Sequence, residues 1–171
     1  MTALVKFCGM AMILFCTTSL GLSAASGLGR RVRELELSLS VVAGLAGELR
    51  YRLAPPDQAV ARLEERASLS RVGYLAHCAS LCRSGMPFPQ AWKTALDQAK
   101  TSLLPEDLQA LAGLGETLGQ CDLEGQLSAL DQADKLLRYQ LQQAREQRLG
   151  RGKLYRTMGV LSGVFLVILF V

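Results

Sequence analysis

Hydrophobic and polar residues follow two different patterns along this chain. At both ends the apolar residues are almost continuous, because residues 7–28 and 157–171 contain no charged side chain. Between the ends, apolar residues recur every three or four positions, which is typical of amphipathic helices rather than strands. The pattern therefore predicts three parts: an N-terminal apolar segment over 1–29, a helical middle over 30–156 and a C-terminal apolar segment over 157–171.

The middle part predicts six helices separated by residues that interrupt helices. The first helix is expected to end before Pro55 and Pro56, since proline lacks the backbone N–H that a helix interior needs. Capping and turn residues give the other boundaries: a second helix from Asp57, a third from Ser70 to Ser84, a fourth from Pro89, a fifth from Pro105 to Leu118 and a sixth from near Asp122. Short loops between amphipathic helices favour an all-α, antiparallel bundle.

Two apolar stripes identify the expected core of this bundle. The sixth helix contains no break signal before Gly150, so we expect it to continue into the C-terminal apolar segment as one helix. The predicted stripe residues are Val32, Leu35, Leu39, Val42, Ala46, Leu49 and Leu53 in the first helix, and Leu123, Leu127, Leu130, Leu137, Leu141 and Ala144 in the last.

The apolar segments predict two membrane helices that flank the bundle. Residues 7–28 would span roughly 33 Å as a helix, against about 30 Å for a bilayer core. A cleaved signal peptide is the alternative, with Lys6 before the apolar run and Ser23-Ala24-Ala25 at the cleavage site. Residues 157–171 would span roughly 22 Å, so this segment relies on local thinning of the bilayer, and a buried terminal helix is its alternative.

Basic residues flank both apolar segments on the side of the middle part. The positive-inside rule then places 30–156 in the cytoplasm and both ends outside, as in a two-pass protein of the cell membrane that contacts lipid. Basic clusters also occur in nucleic-acid-binding proteins, but this one lacks interleaved aromatic residues apart from Tyr155, so no nucleic-acid partner is expected. The flanking residues are Arg30, Arg31, Arg33, Arg148, Arg151, Lys153 and Arg156.

Composition agrees with this division of the chain. Half of the 171 residues are apolar and the formal net charge is +4, which excludes a disordered or collagen-like chain. The segments 1–28 and 157–171 hold 29 apolar residues among 43. The middle therefore has the composition of an ordinary helical bundle. The net positive charge is expected to set the orientation of the chain in a membrane.

No pattern typical of a catalytic, metal or cofactor site occurs in the sequence. His77 is the one histidine; it precedes Cys78, and Cys82 shares a helix face with that cysteine, but no second pair of ligands would close a tetrahedral site. The glycines form no phosphate-binding loop. We expect no enzyme; the alternative is a membrane-tethered sensor that uses Cys78 and Cys82 as a redox or metal switch. Gly159 and Gly163 form a GxxxG pattern that predicts a helix contact in the membrane.

Two stretches of the sequence resemble a known family. The hairpin from Leu75 to Trp92 looks like a turn between helices in the F-type cytoplasmic domain of type II secretion and type IV pilus platform proteins. The similarity is closer to the stage III sporulation protein AB family of endospore-forming bacteria, which shares the length, both apolar segments and the tyrosine, Tyr51, before a proline. The motif residues are Gly85, Pro87, Gly115, Glu116, Thr117, Leu118 and Gly119.

This resemblance implies a non-enzymatic membrane subunit of a mother cell–forespore channel complex. In that family the operon also encodes an ATPase that resembles secretion ATPases. The implied role is a platform that docks this ATPase or ring partners, together with other subunits of the same complex, and a homo-oligomer is compatible with it. We expect Glu116 to orient the fifth helix against the sixth, with an exposed glutamate that has no partner as the alternative.

Overall fold

A computed structural model describes the backbone of residues 2–170 and the side chains of residues 27–149. Over that range the chain forms six helices and no strand, which confirms the predicted all-α class. The helices are α1 Thr2–Arg52, α2 Pro56–Glu64, α3 Gly73–Arg83, α4 Phe88–Asp97, α5 Pro105–Thr117 and α6 Leu123–Phe170. The last helix is therefore continuous with the C-terminal apolar segment, as its lack of a break signal predicts. Helix α1 also includes the N-terminal segment, which the sequence predicts to be a separate helix.

The chain divides into two compact units. Arg31–Gln142 forms one unit, and Met1–Arg30 forms the other together with Gln143–Val171. Helices α1 and α6 contribute residues to both units. In the second unit Gly29 lies beside the guanidinium of Arg148, with 3.8 Å between that group and the position of a Cβ on the glycine.

Proline and glycine set most of the helix boundaries. Pro56 and Pro105 are the first residues of α2 and α5, where a missing N–H removes no helical hydrogen bond. Gly85 and Gly119 follow α3 and α5 with φ of 93° and 80°, a left-handed conformation that glycine adopts without a Cβ clash. Since these signals are local, the predicted boundaries agree with the observed ones to within a few residues.

The connection between α2 and α3 differs from the prediction. Helix α3 begins at Gly73 and is preceded by Val72, so Ser70 does not cap it. The hydroxyl of Ser70 instead donates a hydrogen bond to the carbonyl oxygen of Ala67, at 3.1 Å. Ser70 therefore lies two residues before the N-cap position of α3, and no side chain caps this helix.

The core of the Arg31–Gln142 unit consists of leucine side chains around one tryptophan. Helix α2 packs on α3, α3 on α4 and α4 on α5. Gly44 of α1 lets Leu63 of α2 approach closely, because a Cβ on Gly44 would lie 2.6 Å from the Leu63 Cδ2 atom. The largest fully buried side chains are Trp92, Leu35, Leu45, Leu63, Leu75, Leu111, Leu114, Leu118, Leu130 and Leu137.

The buried face of α1 is broader than the predicted apolar stripe. Leu53 is 70% exposed and Leu39 is half-buried, whereas the polar residues Ser38 and Glu48 are buried. Most of their partners come from outside α1, so the interior contains polar side chains that the predicted apolar stripe did not include. The stripe residues of α1 that are buried as predicted are Val32, Leu35, Val42 and Leu49.

The predicted membrane segments fall almost entirely on residues whose side chains lie outside the described range. Within residues 27–149, no stretch of helix combines the length and the apolar character needed to cross a bilayer. The predictions for Arg151, Lys153, Arg156, Gly159 and Gly163 also lie outside the described side chains.

Candidate functional site

Arg31 and Asp107 join α1 to the start of α5 through a buried ion pair. The guanidinium donates two hydrogen bonds to the carboxylate, Nε to Oδ2 at 2.9 Å and Nη2 to Oδ1 at 3.0 Å. Oδ2 also accepts the backbone N–H of Leu104 at 2.9 Å, which satisfies a donor at the N-terminus of α5. The sequence predicted that Arg31 is one of the basic residues that flank the membrane, whereas in the structure it is only 5% exposed, because Asp107 supplies the opposite charge. Arg30, Arg33 and Arg148 are exposed.

A second buried carboxylate, Glu48, lies near the C-terminal end of α1. Glu48 is 4% exposed and is surrounded by three arginines that are each roughly half-exposed. Its carboxylate oxygens lie 2.7 Å from Arg66 Nη2, 3.4 Å from Arg62 Nη1 and 3.7 Å from Arg52 Nε. The cluster fastens α1 to α2 and to the turn after it. One carboxylate balances one of these three positive charges, so a positive surplus remains at this surface.

The turn between α3 and α4 contains Gly85 and Pro87 from the motif. The N–H of Gly85 bonds to the carbonyl oxygen of Cys82 at 3.0 Å, and the N–H of Met86 bonds to that of Leu81 at 3.1 Å. Both bonds satisfy carbonyls at the end of α3. Pro87 then precedes the first residue of α4 with φ of −58°, so the two motif residues end one helix and begin the next.

Gly115 of the motif lies against the tryptophan at the centre of the core. A Cβ at this position would lie 2.8 Å from Trp92 Cδ1, so only glycine allows α4 and α5 to approach this closely. The indole Nε1 of Trp92 donates a hydrogen bond to the carbonyl oxygen of Leu111, at 2.8 Å. The Tyr74 ring meets the indole edge-on at 5.8 Å, and its hydroxyl lies 3.1 Å from Ser38 Oγ in α1. The tryptophan thus connects α3, α4 and α5.

The turn from α5 to α6 is organised by Gln126 rather than by Glu116. Gln126 accepts the N–H of Gly119 at 3.1 Å and donates to the carbonyl oxygen of Cys121 at 2.7 Å. Asp122 accepts the N–H of Gly125, at 3.1 Å, and caps α6. Glu116 is exposed and lines a groove between α4 and α5. Among the described residues it forms no hydrogen bond with α6, so its predicted orienting role is not supported by the geometry.

The remaining motif residues, Thr117 and Leu118, complete the end of α5. The Thr117 hydroxyl donates a hydrogen bond to the carbonyl oxygen of Gly113, at 3.2 Å. Leu118 is fully buried in the core directly before Gly119 turns the chain. Each of the seven motif residues except Glu116 therefore has a packing or turn-forming contact.

Cys78 and Cys82 lie one turn apart on α3, where Cys78 is buried and Cys82 is half-buried. Burial raises the pKa of the Cys78 thiol far above its ordinary value, and the neighbouring Cys82 raises it further. Burial also raises the pKa of the Cys82 thiol. Thiols with raised pKa values stay protonated and are poor nucleophiles and metal ligands. Within residues 27–149, no group of three histidine, cysteine or acidic side chains is arranged to hold a metal ion.

Cavities open on the surface of the Arg31–Gln142 unit, and two of them contain residues from the motifs or near them. The first, of about 310 Å³, lies between α1, α3 and the α4–α5 loop. Its Glu34 carboxylate is hydrogen-bonded to the hydroxyl of Thr101 and to the N–H of Ser102, and His77 lies 3.2 Å from Gln98 Oε1. The second, of about 300 Å³, is the groove that Glu116 lines. The polar groups named in the first cavity are hydrogen-bonded to other residues of the chain, so the cavity does not indicate a catalytic centre.

Comparisons with known proteins identify the family. The family model described as stage III sporulation protein AB matches residues 6–171. The chain belongs to the stage III sporulation protein AB family. A solved structure named stage III sporulation protein AB (SpoIIIAB) matches with a TM-score of 0.60 at 20% identity, covering 71% of this chain and 98% of that chain. A search of the curated proteins found no match.

Membership of the stage III sporulation protein AB family gives the chain a role associated with sporulation. The solved SpoIIIAB structure, at 20% identity, establishes that the helical fold is shared. The resemblance predicted from the motif around Gly115 is therefore confirmed, while the roles of individual residues rest on the geometry described above.

Sequence reasoning missed the polar residues of the interior in this SpoIIIAB-family chain. The role of Asp107 could have been predicted from its position. An acidic residue at the third position of a helix often accepts the N–H of the residue just before the helix. No sequence pattern indicated that Arg31 and Glu48 are buried. Each lies among other charged residues, and its burial depends on a partner elsewhere in the fold.

Proposed function

We propose that this protein is a non-enzymatic membrane subunit of a sporulation complex that docks a secretion-type ATPase or ring partners at the membrane. Other subunits of the same complex are further partners, and a homo-oligomer is compatible with this role. The protein would sit in the mother-cell membrane as a two-pass protein, with the middle part in the cytoplasm.

One observation carries the proposal. The buried charged residues of the bundle, Arg31, Glu48 and Asp107, are all paired with side chains of the same chain. Among the described side chains, no buried polar atom lacks a hydrogen-bond partner. Catalytic sites usually hold polar groups that await a substrate, whereas here the interior is fully used for packing. The surface is then the part that acts, which suits a scaffold that binds proteins.

The sensor hypothesis is less well supported by the geometry. A redox or metal switch at Cys78 and Cys82 needs thiolates, and burial raises the pKa of both thiols. Replacing both cysteines with serine should therefore leave sporulation unchanged if the protein is a scaffold, and should abolish it if the cysteines are a switch.

A binding experiment with purified components tests the docking role. The full chain, solubilised in detergent and carrying an affinity tag, is mixed with the ATPase encoded with it, and the retained ATPase is quantified. A two-pass membrane protein unrelated in sequence, prepared in the same detergent, is the control. Retention by this chain above that control is expected, and retention equal to the control would count against the proposal.

Reporter fusions test the proposed membrane topology. A reporter inserted near residue 100 should be active in the cytoplasm, and one fused at the C-terminus should be active outside. A cytoplasmic C-terminal reporter would contradict the two-pass arrangement while leaving the docking role testable.

A further inference from the structure

Leu53 adopts a backbone conformation that leucine rarely uses. It directly follows α1 with φ of 51°, and it is the one non-glycine residue with positive φ among the described residues. Its N–H bonds to the carbonyl oxygen of Leu49 at 3.2 Å, as in a helix end that normally carries glycine. A side chain here strains the backbone, since the Cβ of an L-residue crowds a carbonyl oxygen.

The leucine side chain gains nothing inside the fold in return for this strain. Leu53 is 70% exposed, and Tyr51, two residues before it, is 82% exposed. They are the two most exposed large apolar side chains described in the Arg31–Gln142 unit. Residues held in rare backbone conformations cluster at functional sites, and exposed apolar groups that lie together mark interaction surfaces.

Arginines lie at the same end of α1 as this apolar pair. Arg52 lies between the two residues in sequence, and Arg62 and Arg66 approach the same Glu48 carboxylate as Arg52. Glu64 of α2 is paired elsewhere, with Arg83 of α3 at 2.8 Å. We call this surface the α1–α2 corner and define it by Tyr51, Arg52, Leu53, Arg62 and Arg66.

We propose that the α1–α2 corner docks an acidic segment of a partner protein that also carries an apolar side chain. Three half-exposed guanidiniums share one carboxylate, so they retain hydrogen-bond donors and positive charge for carboxylates of the partner. Tyr51 and Leu53 supply the apolar contact, and tyrosine and arginine are enriched among the residues that dominate binding energy. The inference rests on the proposed function and assigns a surface to it.

A protein occupant fits the corner better than a membrane or a nucleic acid. Tyr51 is 20 residues along α1 from Arg31, which is about 30 Å of helix, so the corner lies at the C-terminal end of this helix. A nucleic-acid surface typically contacts about six to ten phosphates, whereas the corner contains three arginines and two apolar side chains.

The test measures binding of the full chain, purified in detergent, to the purified secretion-type ATPase. Four variants alter the corner: Tyr51→Ser, Leu53→Gly, Leu53→Ala and the double variant Arg52→Gln/Arg62→Gln. The double variant leaves Arg66 paired with Glu48, so the buried carboxylate keeps its shortest contact. Leu136→Ser and Lys93→Gln are matched controls, because both residues are exposed and lie on other helices.

Each corner variant is expected to raise the dissociation constant about tenfold or more, and each control to change it less than about twofold. Leu53→Gly should also raise the melting temperature, so weaker binding by this variant cannot be attributed to unfolding. Equal binding by all variants would overturn the assignment of the α1–α2 corner as the docking surface, and it would leave the docking function itself intact.

A wild-type chain that does not bind the ATPase would refute the proposed function but not the corner. The corner is then tested with an array of synthetic peptides that cover the acidic segments of the other subunits of the complex. Capture that the corner variants lose and the controls keep supports the corner, and any other pattern overturns it. In the last experiment, the chain is held in nanodiscs of neutral lipid, and its binding to phosphatidylglycerol vesicles is measured. Corner-dependent binding to these vesicles would overturn the protein partner in favour of a membrane surface.

Discussion

Arg31 and Asp107 are 76 residues apart in sequence and meet in the interior of the bundle through two parallel hydrogen bonds. The same carboxylate caps the first turn of α5 through the N–H of Leu104. One side chain therefore sets the position of α5 against α1 and begins that helix.

Removal of Asp107 should destabilise the protein strongly. Asp107→Ala leaves the Arg31 guanidinium buried without its partner, and we expect a loss of about 3–5 kcal/mol in the free energy of unfolding. Urea denaturation followed by the fluorescence of Trp92, the one tryptophan, measures this. Asp97→Ala, at an exposed acid, is the control. The apolar double variant Arg31→Met/Asp107→Leu should recover most of the loss, and a loss below about 1 kcal/mol for Asp107→Ala would contradict a structural role.

Two glycines on α5 should respond in opposite directions to alanine. In Gly115→Ala the new Cβ would meet Trp92 at 2.8 Å, so we expect a loss of about 1–3 kcal/mol and a shift in tryptophan fluorescence. Gly113 has open space around it, so Gly113→Ala should stabilise the helix by about 1 kcal/mol. Thermal unfolding of both variants measures the contrast, and equal effects would show that the contact with Trp92 does not limit the packing.

Leu53→Gly should stabilise the protein although it removes an apolar side chain. Glycine relieves the left-handed backbone, and we expect a gain of about 1 kcal/mol in the free energy of unfolding. Leu53→Ala keeps the strain and removes most of the side chain, so it should change stability by less than about 0.5 kcal/mol. If both variants behave alike in urea denaturation, the strain is not the origin of the effect.

The turn between α5 and α6 should depend on Gln126 and not on Glu116. Gln126→Ala removes two hydrogen bonds to the turn, and we expect a loss of about 1 kcal/mol. Glu116→Ala, at an exposed residue, should stay within about 0.5 kcal/mol of the wild type. Hydrogen exchange at the backbone amide of Gly119 gives a local measurement, and faster exchange in Glu116→Ala alone would reverse the assignment.

Stability should fall at alkaline pH. Burial raises the pKa of the Tyr74 hydroxyl above its ordinary value of 10.0 and that of the Cys78 thiol above 9.0. Between the unfolded and folded values, the unfolded chain releases protons that the folded chain retains, so the free energy of unfolding decreases as pH rises. The stability should thus be constant up to about pH 9 and then fall by about 1.4 kcal/mol per pH unit for each group.

Tyr74→Phe isolates the tyrosine contribution to this alkaline loss. It should remove the part of the slope that begins near pH 10.0 and leave the part from Cys78 that begins near pH 9.0. Tyr139→Phe, at a residue that is 60% exposed, is the matched control. Urea denaturation across pH 7 to 11 provides the measurement, and an unchanged slope in Tyr74→Phe would contradict the burial argument.

The helices and the motif were predictable because their signals are local. Pro56 and Pro105 begin helices, and Gly85 and Gly119 end them, wherever the rest of the chain lies. The groove between α4 and α5 was not predictable, because the need for glycine at position 115 becomes clear only when Trp92 is placed beside it.

The sequence by itself determined the six amphipathic helices of the middle part, most of their limits to within a few residues and the resemblance to the stage III sporulation protein AB family. Each of these depends on residue spacing within a short window. The tertiary structure alone decided which polar side chains are buried, as for Arg31 and Glu48, and which apolar ones are exposed, as for Leu53. A charge can be buried only where another helix supplies its partner, and no local pattern along the chain records which helix will do so.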